Sequence, residues 1–257
     1  MIDSSARIAS DVVLGEGVSV GAFAIIHSGV TVGPRTQIGS HCVIGEGTRL
    51  GADNILHPFS SIGGASQSRG GSEETGTTLE IGDRNVIHEY CTLNRGSHAD
   101  QSVTRIGDDN LFMAYVHIAH DCVVGDHTVL VNHTTLGGHV HVGDGAVLGA
   151  FTAVRQFCRI GAYSFLTESA GISRDVMPYI CLRRIPPTVL GINRVGLKRN
   201  GFSDDQLLMI SEAYRTVFRR NLSAKMACEW LKEQVQEHPY LIPMLDMLAS
   251  SERGIVR

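Results

Sequence analysis

The sequence predicts a mainly β protein, a left-handed parallel β-helix of hexapeptide repeats followed by a C-terminal α-helical domain. From Ile8 to Ile172 every sixth residue is a branched aliphatic, apart from one Phe and two register breaks. Within the first ten of these positions Gly follows the aliphatic in seven, which marks a regular corner. Beyond Ile172 the rhythm stops, and apolar residues then recur at helical spacing.

A period of six is neither helical nor simply alternating; it is the repeat of a hexapeptide β-helix. Each hexad supplies a short strand whose aliphatic points inward, and the next Gly turns the corner where a side chain would crowd the backbone. Three hexads make one coil of 18 residues, and left-handed winding is a property of the class, not of the period. The residue two before each aliphatic is small or β-branched almost throughout (Ala6, Val12, Val18, Ala24, Val30, Thr36 and Cys42; later Val116, Cys122, Thr128, Thr134 and Val140). The core is thus expected to hold two ladders of inward side chains.

In chain order, the first run spans Ile8, Leu14, Val20, Ile26, Val32, Ile38, Ile44, Leu50, Leu56 and Ile62. Residues 64–77, polar and Gly-rich, cannot continue the inward ladder and form a loop. Ile81, Ile87 and Leu93 resume it, residues 94–105 form a second loop, and Ile106 through Ile172 complete the prism. Loops on a rigid scaffold are where binding residues tend to sit. Residues 173–202, with Pro178, Pro186 and Pro187, read as an irregular connector. Ser203 and Gln206 have the form of a capping box, opening a helix with the stripe Leu207, Leu208, Ile210, Ala213, Tyr214, Val217 and Phe218. Ser223 opens a second helix through Ala227, Trp230, Leu231 and Val235, and Pro239 a shorter third. The expected division is 1–190 for the β-helix and 191–257 for the helical domain.

At 257 residues the chain can bury a large core, and the prism needs little of the 6% aromatic content. A net charge of −4 argues against general nucleic-acid affinity. The repeat begins within ten residues of the start, leaving no room for a signal peptide, and no apolar run approaches the ~18 residues of a membrane span. A cytoplasmic protein with no integral membrane segment is expected. Cys42, Cys91, Cys122 and Cys158 occupy the small inward position, so they read as buried fillers and not as metal ligands or disulfide partners. No CxxC pair is present.

Residues 18 apart stack one strand spacing apart, about 4.8 Å. His117 and His120, then Gly138 and His139, then Arg155 and Gln156 therefore cluster along one edge, while His127 and His133 fall on the other two. Asp121 follows His120 and can orient its imidazole. His120 is the candidate general base, with Asp121 its partner. Cys122 points inward, so direct transfer from an activated donor is the economical chemistry, with main-chain N–H groups near Gly137 and Gly138 serving a developing oxyanion. The same histidines could instead hold zinc, as in prism-shaped carbonic anhydrases.

IGDRNVIHEY at 81–90, IGDDNLFMAYVHIAHDCVVGDH at 106–127, TLGGHVHV at 135–142, VRQFCRIGA at 154–162 and GINRVGLKRNGFS at 191–203 resemble the UDP-N-acetylglucosamine acyltransferases that open lipid A biosynthesis. The resemblance runs over essentially the whole chain, and HIAHD with GLKRxGF is far more specific than the hexapeptide repeats. It implies a homotrimer with active sites between subunits, moving a 3-hydroxyacyl chain from acyl carrier protein to the 3-position of the UDP-sugar. No cofactor is implied; the carrier's phosphopantetheine thioester is the donor substrate. It makes His120 the base and Asp121 its partner, places His117, Gly138, His139, Arg155 and Gln156 around sugar or donor, and gives the nucleotide to Asn193 and Arg199. Lys198, Arg199, Arg215, Arg219 and Arg220 are the expected dock for the acidic carrier protein.

The departures from the family pattern fall around the substrates. Arg155 stands for a usual His, Asn94 for another, Val195 for an acidic residue and Asn200 for an Arg, and the turn Arg184-Ile185-Pro186-Pro187 is unlike the family's. Glu168 occupies the position that gauges acyl length, where a carboxylate would need a partner such as Arg183 or Arg184. A shorter or more polar acyl group, or an altered sugar nucleotide, is the corresponding expectation. A trimer that binds sugar nucleotide or carrier without turnover is the alternative.

Overall fold

In the computed structural model, which describes residues 1–69, 75–98, 100–183 and 185–257, short strands stack into three sheets that form the faces of a left-handed prism. The first face begins with Arg7–Ile8, the second with Val13–Leu14 and the third with Ser19–Val20. Each strand pairs in parallel with the one a coil away, so Ile8, Ile26, Ile44 and Ile62 lie in one column. The column continues without a break through Leu93, Ile118, Leu136, Val154 and Ile172. Both loops are therefore bulges from a coil whose pairing carries straight across them, and both leave from the corner between the first and second faces.

The aliphatic ladder is buried along the prism, and Phe112 fits it as the largest of the fully buried side chains. The second ladder departs from expectation in three coils, where the small position on the third face holds buried Asn54, Asn85 and Asn110. Their amides replace apolar contact with a vertical relay. Asn54 Oδ1 accepts from Asn85 N–H at 2.9 Å, Asn85 Oδ1 from Asn110 N–H at 2.9 Å, and Asn110 Oδ1 from both N–H and Oγ1 of Thr128 at 2.7 Å. Asn54 and Asn85 also donate to the Gly82 and Gly107 carbonyls, corner groups of the next coil. This satisfies main-chain donors that a methyl would leave bare in the core.

Glycine follows the inward aliphatic because of crowding between coils: a Cβ on Gly33 would strike the Gly51 carbonyl, and one on Gly45 the Gly63 carbonyl. The left-handed backbone comes two residues later and is mostly not glycine. Phe23, Arg35, His41, Asp53, Phe59, Arg84, Tyr90 and Asp109 all have φ between 56° and 66°. Stacking recovers part of that cost. At the third-to-first corner seven rings lie in one pile, Phe23, His41, Phe59, Tyr90, Tyr115, His133 and Phe151, with neighbouring centroids 4.7–5.4 Å apart. At the second-to-third corner Arg35 pairs with Asp53 at 2.5 Å, and Arg84 with Asp109 at 2.7 Å.

The stretch 173–202 is more ordered than the sequence suggests. Ile180–Arg183 pairs in parallel with Phe165–Leu166, extending the third face, and Thr188–Ile192 returns antiparallel to it. Helix α1, Arg194–Arg199, follows at once. Three prolines concealed this, because proline is tolerated at strand ends and turns. The remaining helices are α2 (Asp204–Phe218), α3 (Ala224–Gln234) and α4 (Ile242–Ser250). The capping box of Ser203 and Gln206 is formed, and Ser223 caps α3 through Met226 N–H. Leu208, counted in the apolar stripe, is instead 64% exposed. Buried Asp175 clasps the chain end to the prism: it accepts from Arg159 at 2.7 Å and Ser251 Oγ at 2.8 Å, while its backbone pairs with Gly254 and Val256. Among the described residues no helix is long and apolar enough to cross a membrane.

Replacing Asn85 by Ala removes an acceptor for Asn110 N–H and donors for Asn54 and Gly107. At about 1–3 kcal/mol for each buried group left bare, Asn85→Ala should lower stability by several kcal/mol, visible as an earlier urea midpoint at fixed protein concentration.

Candidate functional site

The corner between the first and second faces carries the chemistry. His117–Ile118 lies on the first face, and two residues on His120 enters the turn, with Asp121 in the left-handed region at φ 57°. That backbone swings the Asp121 carboxylate back against the imidazole, 2.8 Å from His120 Nδ1. Asp121 is buried and its carboxylate is fully engaged. It accepts from Ser97 N–H at 3.1 Å and Ser97 Oγ at 2.6 Å, and its own N–H donates to Thr104 Oγ1 at 2.8 Å. Burial pushes the carboxyl up, but the hydrogen bonds from Ser97 and His120 together outweigh it and hold Asp121 below the usual carboxylate range.

Ser97, and Asp100 beside it, come from the loop at 94–105, which sequence reasoning marked as an excursion without naming either of them. Its fold explains their arrival. Arg95 N–H donates to Gly64 O and Gly96 N–H to Thr78 O, while the Asn94 amide donates to Ala65 O at 2.6 Å. The second loop is thus stitched to the base of the first and pressed onto the corner below. Asp100 Oδ2 then meets His139 Nδ1 at 2.8 Å. No spacing rule links Ser97 to Asp121 or Asp100 to His139, since a loop breaks the interval of 18.

One coil along, Gly137 and Gly138 are required for different reasons. A Cβ on Gly137 would lie 2.7 Å from Gln156 N in the next coil; one on Gly138 would lie 2.7–2.8 Å from Cε1 and Nε2 of His120. The His120 ring therefore rests against the bare Gly138 backbone. Gly137 N–H is spent on Val154 O and His139 N–H on His120 O. The Gly138 N–H has no hydrogen-bond partner among the described residues, so of the amides expected near this turn it is the one free to meet an oxyanion. His139 crosses His120 edge-on with centroids 5.1 Å apart and stacks on Phe157 at 4.3 Å, and Arg253 lies over the same Phe157 ring.

The other predicted residues divide. His117 is half-buried, its Nδ1 2.7 Å from Thr92 Oγ1, and burial together with the His120 charge keeps its imidazole below the ordinary value. Arg155 and Gln156 are exposed and line a shallow groove with Gly137. Asn193 has its amide spent on structure, donating to Tyr163 O at 2.9 Å and capping α1 through Gly196 N–H. Arg199 is exposed in the last turn of α1, and no contact within the described chain brings it or Asn193 to the His120 corner. Glu168 is exposed and makes no ion pair with Arg183; Arg184, its other suggested partner, lies outside the described residues. In the basic cluster Lys198 meets Asp204, Arg215 and Arg220 share Glu212, and Arg219 donates to the Tyr214 hydroxyl, so five cations face two carboxylates. Cys122 donates to Gly137 O, and burial pushes its thiol up to about 12, the reverse of an activated nucleophile.

His120, Asp121 and His139 offer ligand atoms within 4.8 Å of one another, so geometry alone admits both an acid–base dyad and a metal cradle. Comparison with known proteins places the chain in a family. Residues 175–256 match the family described as UDP N-acetylglucosamine O-acyltransferase, domain 2, and residues 104–138 the bacterial transferase hexapeptide family. The acyl-[acyl-carrier-protein]--UDP-N-acetylglucosamine O-acyltransferase of Herminiimonas arsenicoxydans is 42% identical over 100% of this chain and 99% of its own. That of Pseudomonas entomophila is 43% identical over 100% and 97%. Among solved structures, the UDP-N-acetylglucosamine acyltransferase of Francisella novicida superposes with a TM-score of 0.96 at 36% identity, covering 100% of this chain and 94% of that one. The Moraxella catarrhalis enzyme does so with 0.95 at 38%, covering 100% and 99%. With identity and fold agreeing from end to end, the chain belongs to the UDP-N-acetylglucosamine O-acyltransferase family.

Proposed function

We propose that the protein moves an acyl chain, a 3-hydroxyacyl chain by family resemblance, from acyl carrier protein to the 3-position of UDP-N-acetylglucosamine or a related sugar nucleotide. The observation that carries the mechanism is the His120 ring held between the buried Asp121 carboxylate and the bare Gly138 backbone. With Nδ1–H donating to Asp121, Nε2 is the basic nitrogen. The sugar hydroxyl gives its proton to Nε2 as its oxygen attacks the thioester carbonyl carbon; the tetrahedral oxyanion takes a hydrogen bond from Gly138 N–H. Collapse breaks the C–S bond, and the imidazolium returns the proton to the departing thiolate. Asp121 stays ionised and balances the imidazolium. No enzyme nucleophile takes part.

Asp100 gives His139 the same kind of carboxylate partner, which fits His139 for a charge-assisted contact to donor or acceptor beside the base. Completion of the site requires a second copy. Asn193 and Arg199 act on the nucleotide only if a neighbouring subunit brings its tail to this corner, and the exposed seven-ring pile, five of whose rings are Phe or Tyr, is an aromatic stripe suited to packing copies into a trimer. The exposed Glu168 and Arg155 favour an acyl group shorter or more polar than the family norm. The protein would act in the cytoplasm, where acyl carrier protein is found.

His120→Ala should lower kcat by about 10²–10⁴-fold with carrier-linked donors from C2 to C16; undiminished turnover would dismiss it as the base. Gly138→Ala should fold normally and lose turnover through displacement of the ring, a split seen by comparing its melting curve with its kcat. The depressed Asp121 pKa gives a signed expectation for stability. Its contribution is present above the unfolded carboxyl value near ~3.9 and is lost as pH falls through the lower folded value. The melting-temperature gap between the wild type and Asp121→Asn should therefore narrow as pH drops from 7 towards 3. Tyr115→Asp should shift the sedimentation coefficient from trimer towards monomer.

A further inference from the structure

On the third face, His57 and His88 directly follow the inward Leu56 and Ile87 of successive coils, where Gly39 stands one coil before. The register Leu56↔Ile87 and the bond from His57 N–H to Ile87 O, 2.8 Å, set the two imidazoles in a stack at 4.4 Å with planes 2° apart. Glu89 faces both: its Oε2 is 3.4 Å from His88 Nδ1 and its Oε1 3.8 Å from His57 Nδ1. The second of these is too long for a hydrogen bond. One carboxylate thus sits before two ring nitrogens without closing on both. Among the described residues no Lys or Arg pairs with Glu89, whose carboxylate faces the two imidazoles and its own backbone N–H. One ligand atom from each of the three lies within 4.8 Å of the others, and all three side chains are half-buried, within reach of solvent.

We propose that His57, His88 and Glu89 form a binding site for a divalent transition-metal ion of the zinc, cobalt or nickel class, apart from the catalytic corner. Two neutral imidazoles and one carboxylate are a donor set such ions accept, at about 2.0–2.2 Å per bond. Small rotations of the three side chains would converge them on one ion, with water in the remaining positions. The site bridges the two coils on either side of the loop at 64–77, where paired strands are 31 residues apart in sequence instead of 18. An ion there would clip the prism at its widest chain excursion, and it has no part in acyl transfer.

The test uses the full-length protein stripped with EDTA, with zinc alone as the probe, read by metal analysis after gel filtration and by calorimetry. His57→Phe and His88→Phe keep a stacked ring and remove the ligand, so loss of zinc in them reports coordination and not collapse. His120→Ala separates this site from the His120, Asp121 and His139 cluster. The expected result is one zinc per chain retained in His120→Ala, lost in His57→Phe and His88→Phe, and accompanied in the wild type by a zinc-dependent rise in melting temperature. Zinc binding that is equal in the wild type and His88→Phe, or abolished by His120→Ala, would overturn the site. So would the absence of binding in the wild type.

Discussion

Each coil of this protein is held by main-chain hydrogen bonds to the next, and nearly everything else follows from that vertical repeat. The bonds recur with little variation: Gly33 N–H to Leu50 O, Gly51 to Ile81, Gly107 to Val124 and Gly143 to Ile160 are all 2.8 Å. A strand of two residues has no stability of its own. Registered against strands above and below, it fixes the height of every side chain at once, so like residues pile into columns: aliphatics and asparagines inside, rings along one corner, ion pairs along another. The columns then offset the cost of the left-handed backbone at the corners.

The site is where this regularity is broken on purpose and then repaired. A coil that simply continued would leave the buried Asp121 carboxylate with His120 as its side-chain partner but without the donors of Ser97. The loop at 94–105 supplies the missing donors through Ser97 and a second carboxylate through Asp100. It can do so because Asn94, Arg95 and Gly96 tie it to the base of the neighbouring loop. The rigidity needed for general-base chemistry is therefore borrowed from two irregular segments pinned to a regular one.

The prism was legible because its signal repeats: the inward positions, the loop sites, the cysteine fillers and the column through His120, Gly138 and Gln156 all follow from a spacing of 18. The helical caps at Ser203 and Ser223 were legible as local chemistry. What the sequence concealed depends on non-periodic contacts. Ser97 and Asp100 reach the site across a loop, and the hairpin after Ile180 is masked by prolines. The amides of Asn54, Asn85 and Asn110 occupy a position that composition alone assigns to small apolar groups. The suggested pairing of Glu168 with Arg183 is not formed either, and it too would have been a non-periodic contact.

Both loops leave the prism at the corner that carries His120, and this has a bearing on how such a protein can change. The three faces are bound to a fixed pitch, so altering them means adding or deleting whole coils. The one corner takes intervals of 31 and 25 residues while Ile62, Leu93 and Ile118 stay paired, with one register shift at Gly64 where the first loop leaves. Insertions, deletions and replacements at that corner alter what stands over the histidine while the frame below keeps its register. New substrate preferences can thus be explored as local edits, insulated from the folding problem.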